Sequence, residues 1–253
     1  MQLSSEIIVG YSVSVEPISN VVNCVTQRMH DNERRCHYFA CLNPHSVEVA
    51  ALDKTFHNSL TSADFLTADG IGIVYASRLL GGNLRDRVTG MDVFHGVSGA
   101  MNASGRGTCY FLGSTEETLD AIRVKMAEEY PNVEIVGTYS PPFRPEFSAE
   151  DNDAMIEAIN SASPDVLWVG LAAPKQEKWL YEHRDRLNVN FAGPIGAVFD
   201  FYVGNVKRVN PFWQKMGFEW LPRLMQEPRR LWRRTFVSAP KFIIRTLKYK
   251  WTK

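Results

Sequence analysis

The 253-residue sequence predicts an α/β fold: a mostly parallel sheet covered by helices on both faces, followed by a basic helical appendage. Two observations predict the sheet. Short apolar runs rich in β-branched and aromatic residues alternate with longer segments of helical period. Strands joined through helices run parallel, and a parallel sheet needs cover on both faces. A third observation predicts the appendage. Val206 to Lys253 holds 13 Lys/Arg against the two acids Glu219 and Glu227, so +11 there is offset by −11 over the preceding 205 residues. A boundary near residue 205 follows, with an α/β core over 1–205 and an appendage over 206–253 that seeks an anionic partner.

The elements come in order. "EIIVGYSVSV" reads as a small hairpin or edge strand, and a helix follows near Ile18 to His30. "HYFACLN" is a strand, "SVEVAALDKTFHNSL" one helix with Val47, Ala50, Ala51 and Leu60 on its apolar side, and "DFLTA" the next strand. "TCYFLG" leads into "STEETLDAIRVKMAEEY", where Ser114 or Thr115 can cap and Leu119, Ile122 and Met126 form the buried stripe. "VEIVGTY" and "DVLWVGL" are strands separated by the helix "SAEDNDAMIEAINSA", and "VNFAGP" is the last strand. This Rossmann-like architecture places its binding crevice at the carboxyl ends of the strands. The loop "YSPPFRPEF", with three prolines that forbid a helix or central strand, follows a strand end and is a candidate crevice wall.

At 45% hydrophobic, the chain can bury a sizeable core. Cys24, Cys36, Cys41 and Cys109 form no CxxC pair and match no His spacing, so neither a zinc site nor a disulfide framework is expected, and reduced cytosolic thiols are. The N-terminus has no basic n-region followed by a long apolar h-region. No apolar run reaches the roughly 18 residues of a spanning helix, so any membrane attachment is expected to be peripheral.

Five stretches carry candidate chemistry. Asp69, in "FLTADGIGIVYASRLLGG", stands between a strand and a helix, and reads either as an N-cap or, facing the crevice, as a base for a substrate hydroxyl. "GIGIVY" lacks the third Gly of a dinucleotide fingerprint. "DND", Asp151 to Asp153, resembles a metal-binding D-x-D pair, but its place after Ser148 at a helix start favours a capping box. In "GLAAPKQEKWL", Lys175, Gln176 and Glu177 open a helix. One turn cannot aim all three inward, so Lys175 and Glu177 are expected in solvent, while Gln176 stays open between crevice and solvent. Arg87 and Asp92 in "RVTGMDVF" are open between surface pairing, a first helical turn and a site. Asp200, inside the apolar run "GAVFDFYVG", requires a partner or a polar cavity.

The tail interleaves Trp, Phe, Ile and Leu with Arg and Lys, and Ile243, Leu247 and Trp251 recur at helical spacing. That suits a helix in the headgroup layer of an anionic membrane; nucleic acid is disfavoured because no such motif is present. Held off a membrane, so apolar a tail would favour a homo-oligomer. Arg223, Arg230 and Arg233 share one face if the helix is continuous, whereas Pro228 could begin a second helix between them; converging there, they could clamp a diphosphate without metal.

Seven ordered motifs carry a resemblance: "LNPHSV", "TADGIGIVYASRLLGG", "RVTGMDVF", "YFLGS", "GLAAPKQEKW", "GAVFDFYVGNVKRVNPFWQKMGFEWLPRL" and "QEPRRLWRR", spanning about residues 38–235. Together they resemble the WecG/TagA/CpsF glycosyltransferases, glycosyltransferase family 26. The resemblance implies an inverting, metal-independent enzyme without cofactor. It would move a sugar from a UDP-sugar to an undecaprenyl-diphosphate-linked acceptor in bacterial polysaccharide or teichoic acid synthesis, from the cytoplasmic face of the membrane. N-acetylmannosamine, its uronic acid, glucose and galactose are all open as donor sugars. By the same resemblance Asp69 is the general base, Cys41, Asn43, Arg87, Gln176 and Asp200 surround substrate, and Arg223, Arg230 and Arg233 hold the departing diphosphate. Cys41 stands where the family's T-x-N has Thr, so one hydroxyl contact to substrate is missing. The rivals are a nucleotide-sugar oxidoreductase or epimerase, and a non-catalytic module that binds a lipid carrier at a membrane surface.

Overall fold

Eight strands form one sheet in the order β1-β2-β4-β3-β8-β7-β5-β6. They are β1 (Ser5–Ile8), β2 (Tyr11–Ser14), β3 (His37–Leu42), β4 (Phe65–Ala68), β5 (Thr108–Gly113), β6 (Glu134–Tyr139), β7 (Val166–Gly170) and β8 (Phe191–Pro194). Among the described residues, only the β1–β2 hairpin at one edge is antiparallel, and every other neighbouring pair is parallel. The computed structural model describes residues 3–30, 33–206 and 232–252.

Strand alternation divides the core between the two faces. Phe39, Phe111, Trp168 and Phe191 pack on one side with Phe94, while Tyr38, Leu112, Leu167 and Val169 pack on the other with Trp179 and Leu180. The helices covering these faces are α1 (Ile18–Met29), α2 (Pro44–Ala50), α3 (Lys54–Thr61), α4 (Ile71–Leu79), α5 (Gly90–Ser104), α6 (Glu116–Glu129), α7 (Ala149–Ala162), α8 (Lys175–His183) and α9 (Val198–Val203). Thr115 caps α6 through the Thr118 amide, and Leu119, Ile122 and Met126 are its buried stripe, as its spacing predicts.

One predicted element divides. "SVEVAALDKTFHNSL" is two helices, α2 and α3, broken at an exposed Leu52. The Asp53 side chain accepts from the Phe56 amide at 2.9 Å and starts α3 afresh. An Asp cap inside an apolar helical period is the sequence signal for that break.

After the last strand, a wide π-helical stretch (Arg233–Ser238) leads into α10 (Ala239–Thr252), which packs on α2 and α4. Phe242 is buried in the cluster that holds Ala40, Leu42 and Val47, a burial that stabilises by about 2 kcal/mol. Arg245 makes a two-pronged ion pair with Glu48, Nε to Oε1 at 2.7 Å and a second nitrogen to Oε2 at 3.2 Å. His45 Nδ1 and Ser238 Oγ lie 2.9 Å apart. The C-terminal segment is thereby tied to α2, whose N-terminal end, with Asn43, His45 and Ser46, lines the crevice.

Candidate active site

The register of the central strands brings the predicted residues together. Leu42 pairs with Ala68 at the carboxyl ends of β3 and β4, and the Asp69 amide donates to the Leu42 carbonyl at 2.8 Å, so Asn43 and Asp69 leave the sheet side by side. The ends of β7 and β8 add Gly170–Pro174 and Pro194–Ala197. Between them lies a cavity of about 1040 Å³, lined by Cys41, Asn43, Asp69, Arg87, Gln176 and Asp200 among others. That is at the upper end of small-molecule sites, and a strand-end crevice is where this architecture binds ligands.

Each residue reaches the cavity by local structure. Gly70, at φ 114°, holds the N-cap position of α4, which a residue with a side chain rarely could. The N-cap reading of Asp69 is therefore corrected: Asp69 stands one residue outside the cap, on the cavity wall. Asn43 Oδ1 caps α2 by accepting from the His45 and Ser46 amides at 3.0 and 2.9 Å. Arg87 is carried by a loop pinned where the Val88 amide donates to the Ala68 carbonyl at 2.9 Å. Asp200 sits half-buried in the first turn of α9, with Asn205 Nδ2 at 3.5 Å, so the polar surroundings its apolar run requires are present. Asp92 is in the first turn of α5, where it forms a capping box with Thr89, and it also borders the cavity.

Cys41 lies on the same wall, its Sγ 3.5 Å from Thr67 Oγ1. Burial pushes its thiol well above the ordinary range and the Asp69 charge raises it further, so Cys41 is a neutral thiol close to that carboxylate.

Glu177 differs most from its expectation. It is 4% exposed rather than solvated, and it lines the cavity beside Gln176. Gln176 Nε2 donates to Glu177 Oε1 at 2.9 Å. Burial pushes the carboxyl up to about 7 against the opposing pull of that hydrogen bond, its own amide and the Arg234 charge. The signal was in the sequence: Gln176 and Glu177 both stand one turn before Leu180, which is fully buried, and flank it on the inner face. Lys175 does lie apart, its Nζ donating to the Arg144 carbonyl at 2.7 Å and resting over the Phe147 ring. The loop Tyr139–Phe147 thus packs on the start of α8 and contributes no residue to the cavity lining.

Among the three arginines singled out, Arg223 and Arg230 lie outside the described residues. Arg233 opens the π-helical stretch, and its neighbour Arg234, which sequence reasoning passed over, lines the cavity. Burial, then Arg234 and Arg233, lower the His45 imidazole to about 4. Asp151 of the D-x-D closes the capping box with Ser148 and pairs with Arg144 at 3.0 Å, and Asp153 pairs with Arg186 at 2.7 Å. Among the described residues no three His, Cys, Asp or Glu side chains converge as a metal-ligand set.

A strand-end crevice with a carboxylate at one strand terminus, carboxamides beside it and guanidiniums at its rim defines an α/β enzyme for a polar, hydroxyl-rich substrate. The family model described as "Glycosyl transferase WecG/TagA/CpsF family" matches residues 7–253, and the chain belongs to that family of glycosyltransferases. It is 32% identical to an N-acetylglucosaminyldiphosphoundecaprenol N-acetyl-beta-D-mannosaminyltransferase of Bacillus subtilis (strain 168), over 82% of this chain and 77% of that protein. A protein of the same name from Bacillus spizizenii (strain ATCC 23059 / NRRL B-14472 / W23) is 30% identical over 84% of this chain and 79% of its own length. One from Staphylococcus aureus (strain MW2) is 24% identical over 84% and 80%.

Proposed function

We propose that this glycosyltransferase moves N-acetylmannosamine or a close relative from its UDP-sugar onto an undecaprenyl-diphosphate-linked N-acetylglucosamine, with inversion. The observation that carries the reading is the position of Asp69 at a strand end, on the wall of a cavity large enough for a nucleotide sugar and an acceptor sugar together. The printed names of the relatives support the choice of acceptor and transferred sugar.

Asp69 accepts the proton of the acceptor hydroxyl as that oxygen attacks the anomeric carbon. The bond from that carbon to the diphosphate oxygen breaks on the opposite face, and its electron pair leaves with UDP. The cavity wall includes the carboxylates of Asp69, Asp86, Asp92 and Asp200 against Arg87 and Arg234, so a diphosphate needs further cations. Arg223, Arg230 and Arg233 are the proposed source, in place of a metal.

The same appendage is the proposed membrane contact, at the inner face of the cytoplasmic membrane. Phe236, Ile243, Ile244 and Trp251 are exposed along one stretch with Lys241, Lys248 and Lys250, a composition that suits an anionic headgroup layer. No helix of the described residues is long and apolar enough to cross a membrane. The boundary at 205–206 is proposed as a functional division, since α10 shares a cluster with the core.

The deciding experiment measures UDP release with the lipid-linked acceptor presented in anionic vesicles, with and without EDTA. Acceptor-dependent release that survives EDTA, and that drops when Ile243 and Trp251 are both changed to Glu, is the expected result. Release without acceptor would reject the transfer, restoration by magnesium after EDTA would reject the arginine account, and vesicle dependence unchanged by the double variant would reject the membrane contact.

A further inference from the structure

Two buried side chains on the cavity wall lack a hydrogen-bond partner for one oxygen each, Gln176 Oε1 and Glu177 Oε2. Both residues are 4% exposed. Leaving such an atom unpaired costs roughly 1–3 kcal/mol, so the arrangement is completed by something the cavity receives. Gln176 Nε2 already donates to Glu177 Oε1, so the pair still lacks a donor for Gln176 Oε1 and a partner for Glu177 Oε2. A secondary amide carries one donor and one acceptor, which matches a carboxamide oxygen and a protonated carboxyl.

The geometry points to Gln176 and Glu177 as the pair that reads the acetamido group of a substrate sugar, Gln176 Oε1 accepting from its N–H and the Glu177 carboxyl donating from Oε2 to its carbonyl. This rests on the proposed function for the identity of the ligand as a sugar and assigns Glu177 a role in choosing which sugar. Three further observations fit. A carboxyl pushed up to about 7 is largely protonated in mildly acidic solution and about half protonated at neutral pH, and only the protonated form can donate. The acetyl methyl has apolar neighbours in Leu171 and Ile195, which line the same cavity. A pair of ring hydroxyls has no use for such a patch. Both sugars in the relatives' printed names are N-acetylated.

Among the described residues, Asp69, Asp86, Arg87, Asp92, Asp200, Arg234 and His45 share the cavity wall with Glu177. Arg234 acts on it from the π-helical stretch and opposes protonation, and Asp69 and Glu177 both act on Cys41 from the ends of their elements. Across the seam between α3 and α8, Asp53 and Lys178 pair with each other at 3.1 Å.

The test is equilibrium binding to the full-length protein by calorimetry, with two matched pairs. UDP-N-acetylmannosamine against UDP-mannose probes the donor, and short-chain lipid-diphosphate N-acetylglucosamine against its glucose analogue probes the acceptor. Wild type should bind the acetamido member of one pair about tenfold more tightly, and that pair identifies which sugar is read. Glu177→Ala should bring the ratio to within about twofold while UDP alone binds as before, and Glu177→Gln, which keeps a donor, should retain it. Raising pH through about 7 should erode the wild-type preference and leave that of Glu177→Gln flat, a readout that serves even where the alanine variant fails to fold. A preference equal in wild type and Glu177→Ala, or absent from wild type for both pairs, overturns the assignment. Discrimination without transfer would reject the proposed reaction and leave the acetamido reading standing; binding of neither class of ligand would overturn both.

Discussion

The starts of α3 and α7 spend their acids on the helix, whereas those of α4 and α8 hold theirs for the cavity. Asp53 accepts from the Phe56 amide and pairs with Lys178, and Asp151 closes a box with Ser148 and pairs with Arg144. At α4 the cap position belongs to Gly70, and at α8 to Pro174, neither with a side-chain cap. Neither Asp69 nor Glu177 holds the cap position of its helix, although the Glu177 carboxyl does interact with its own amide. An acid near a helix N-terminus is structural where its oxygens meet backbone amides, and available for chemistry where a glycine or proline has taken the cap.

Asp69→Asn gives the largest expected effect. Removing a general base should lower kcat by about 10²–10⁴-fold, with UDP affinity and thermal stability close to wild type. Asp53→Ala is the counterpart: about 1 kcal/mol of stability lost and kcat retained. Transfer kinetics and melting curves on the two variants would break the comparison if Asp53→Ala lost as much turnover as Asp69→Asn, or if Asp69→Asn retained near-normal kcat.

Glu177 comes next, through the dependence of stability on pH. Burial raises its carboxyl from 4.5 in the unfolded chain to about 7 in the fold. Between those values the folded protein holds a proton that the unfolded chain has released, so stability falls as pH rises across that window and levels off above it. At about 1.4 kcal/mol per pH unit, the loss between pH 4.5 and 8 is about 3 kcal/mol. Glu177→Gln does not titrate, so its stability relative to wild type should rise by that amount over the same range. Denaturant unfolding at pH 5 and pH 8 measures it, and parallel profiles for the two proteins would place Glu177 in solvent after all.

The fold was largely legible because each strand is a short β-branched or aromatic run and each helix has a periodic face. The break at Leu52 was not, since Val47, Ala50, Phe56 and Leu60 keep helical spacing across it and only Asp53 marks the restart. The residues surrounding the crevice were legible through their ordered motifs: Cys41, Asn43, Asp69, Arg87, Gln176 and Asp200 all line it. Glu177 was not, because a Glu in a first turn reads as a favourable dipole contact in water, and only Leu180 one turn on shows that this side of α8 faces inward. Arg234 was hidden by its neighbour Arg233, since adjacent residues on a helix differ by about 100° and charge alone does not choose between them.

The smallest effect belongs to α7, the satisfied end of the comparison. Ser148 Oγ accepts from the Asp151 amide at 3.2 Å while the Asp151 carboxylate accepts from the Ser148 amide at 3.0 Å. Ser148→Ala removes one half of this box and leaves the other, and Arg144 still neutralises Asp151. The expected loss is about 1 kcal/mol of unfolding free energy, at the middle of the range for such caps. Because α7 contributes no residue to the cavity lining, kcat and KM should be those of wild type. Adding manganese should likewise change neither protein, since both Asp151 and Asp153 already have guanidinium partners. A loss of turnover in Ser148→Ala that manganese restores would mean that the D-x-D holds a metal after all, and that an acid satisfied by its helix can still serve the reaction.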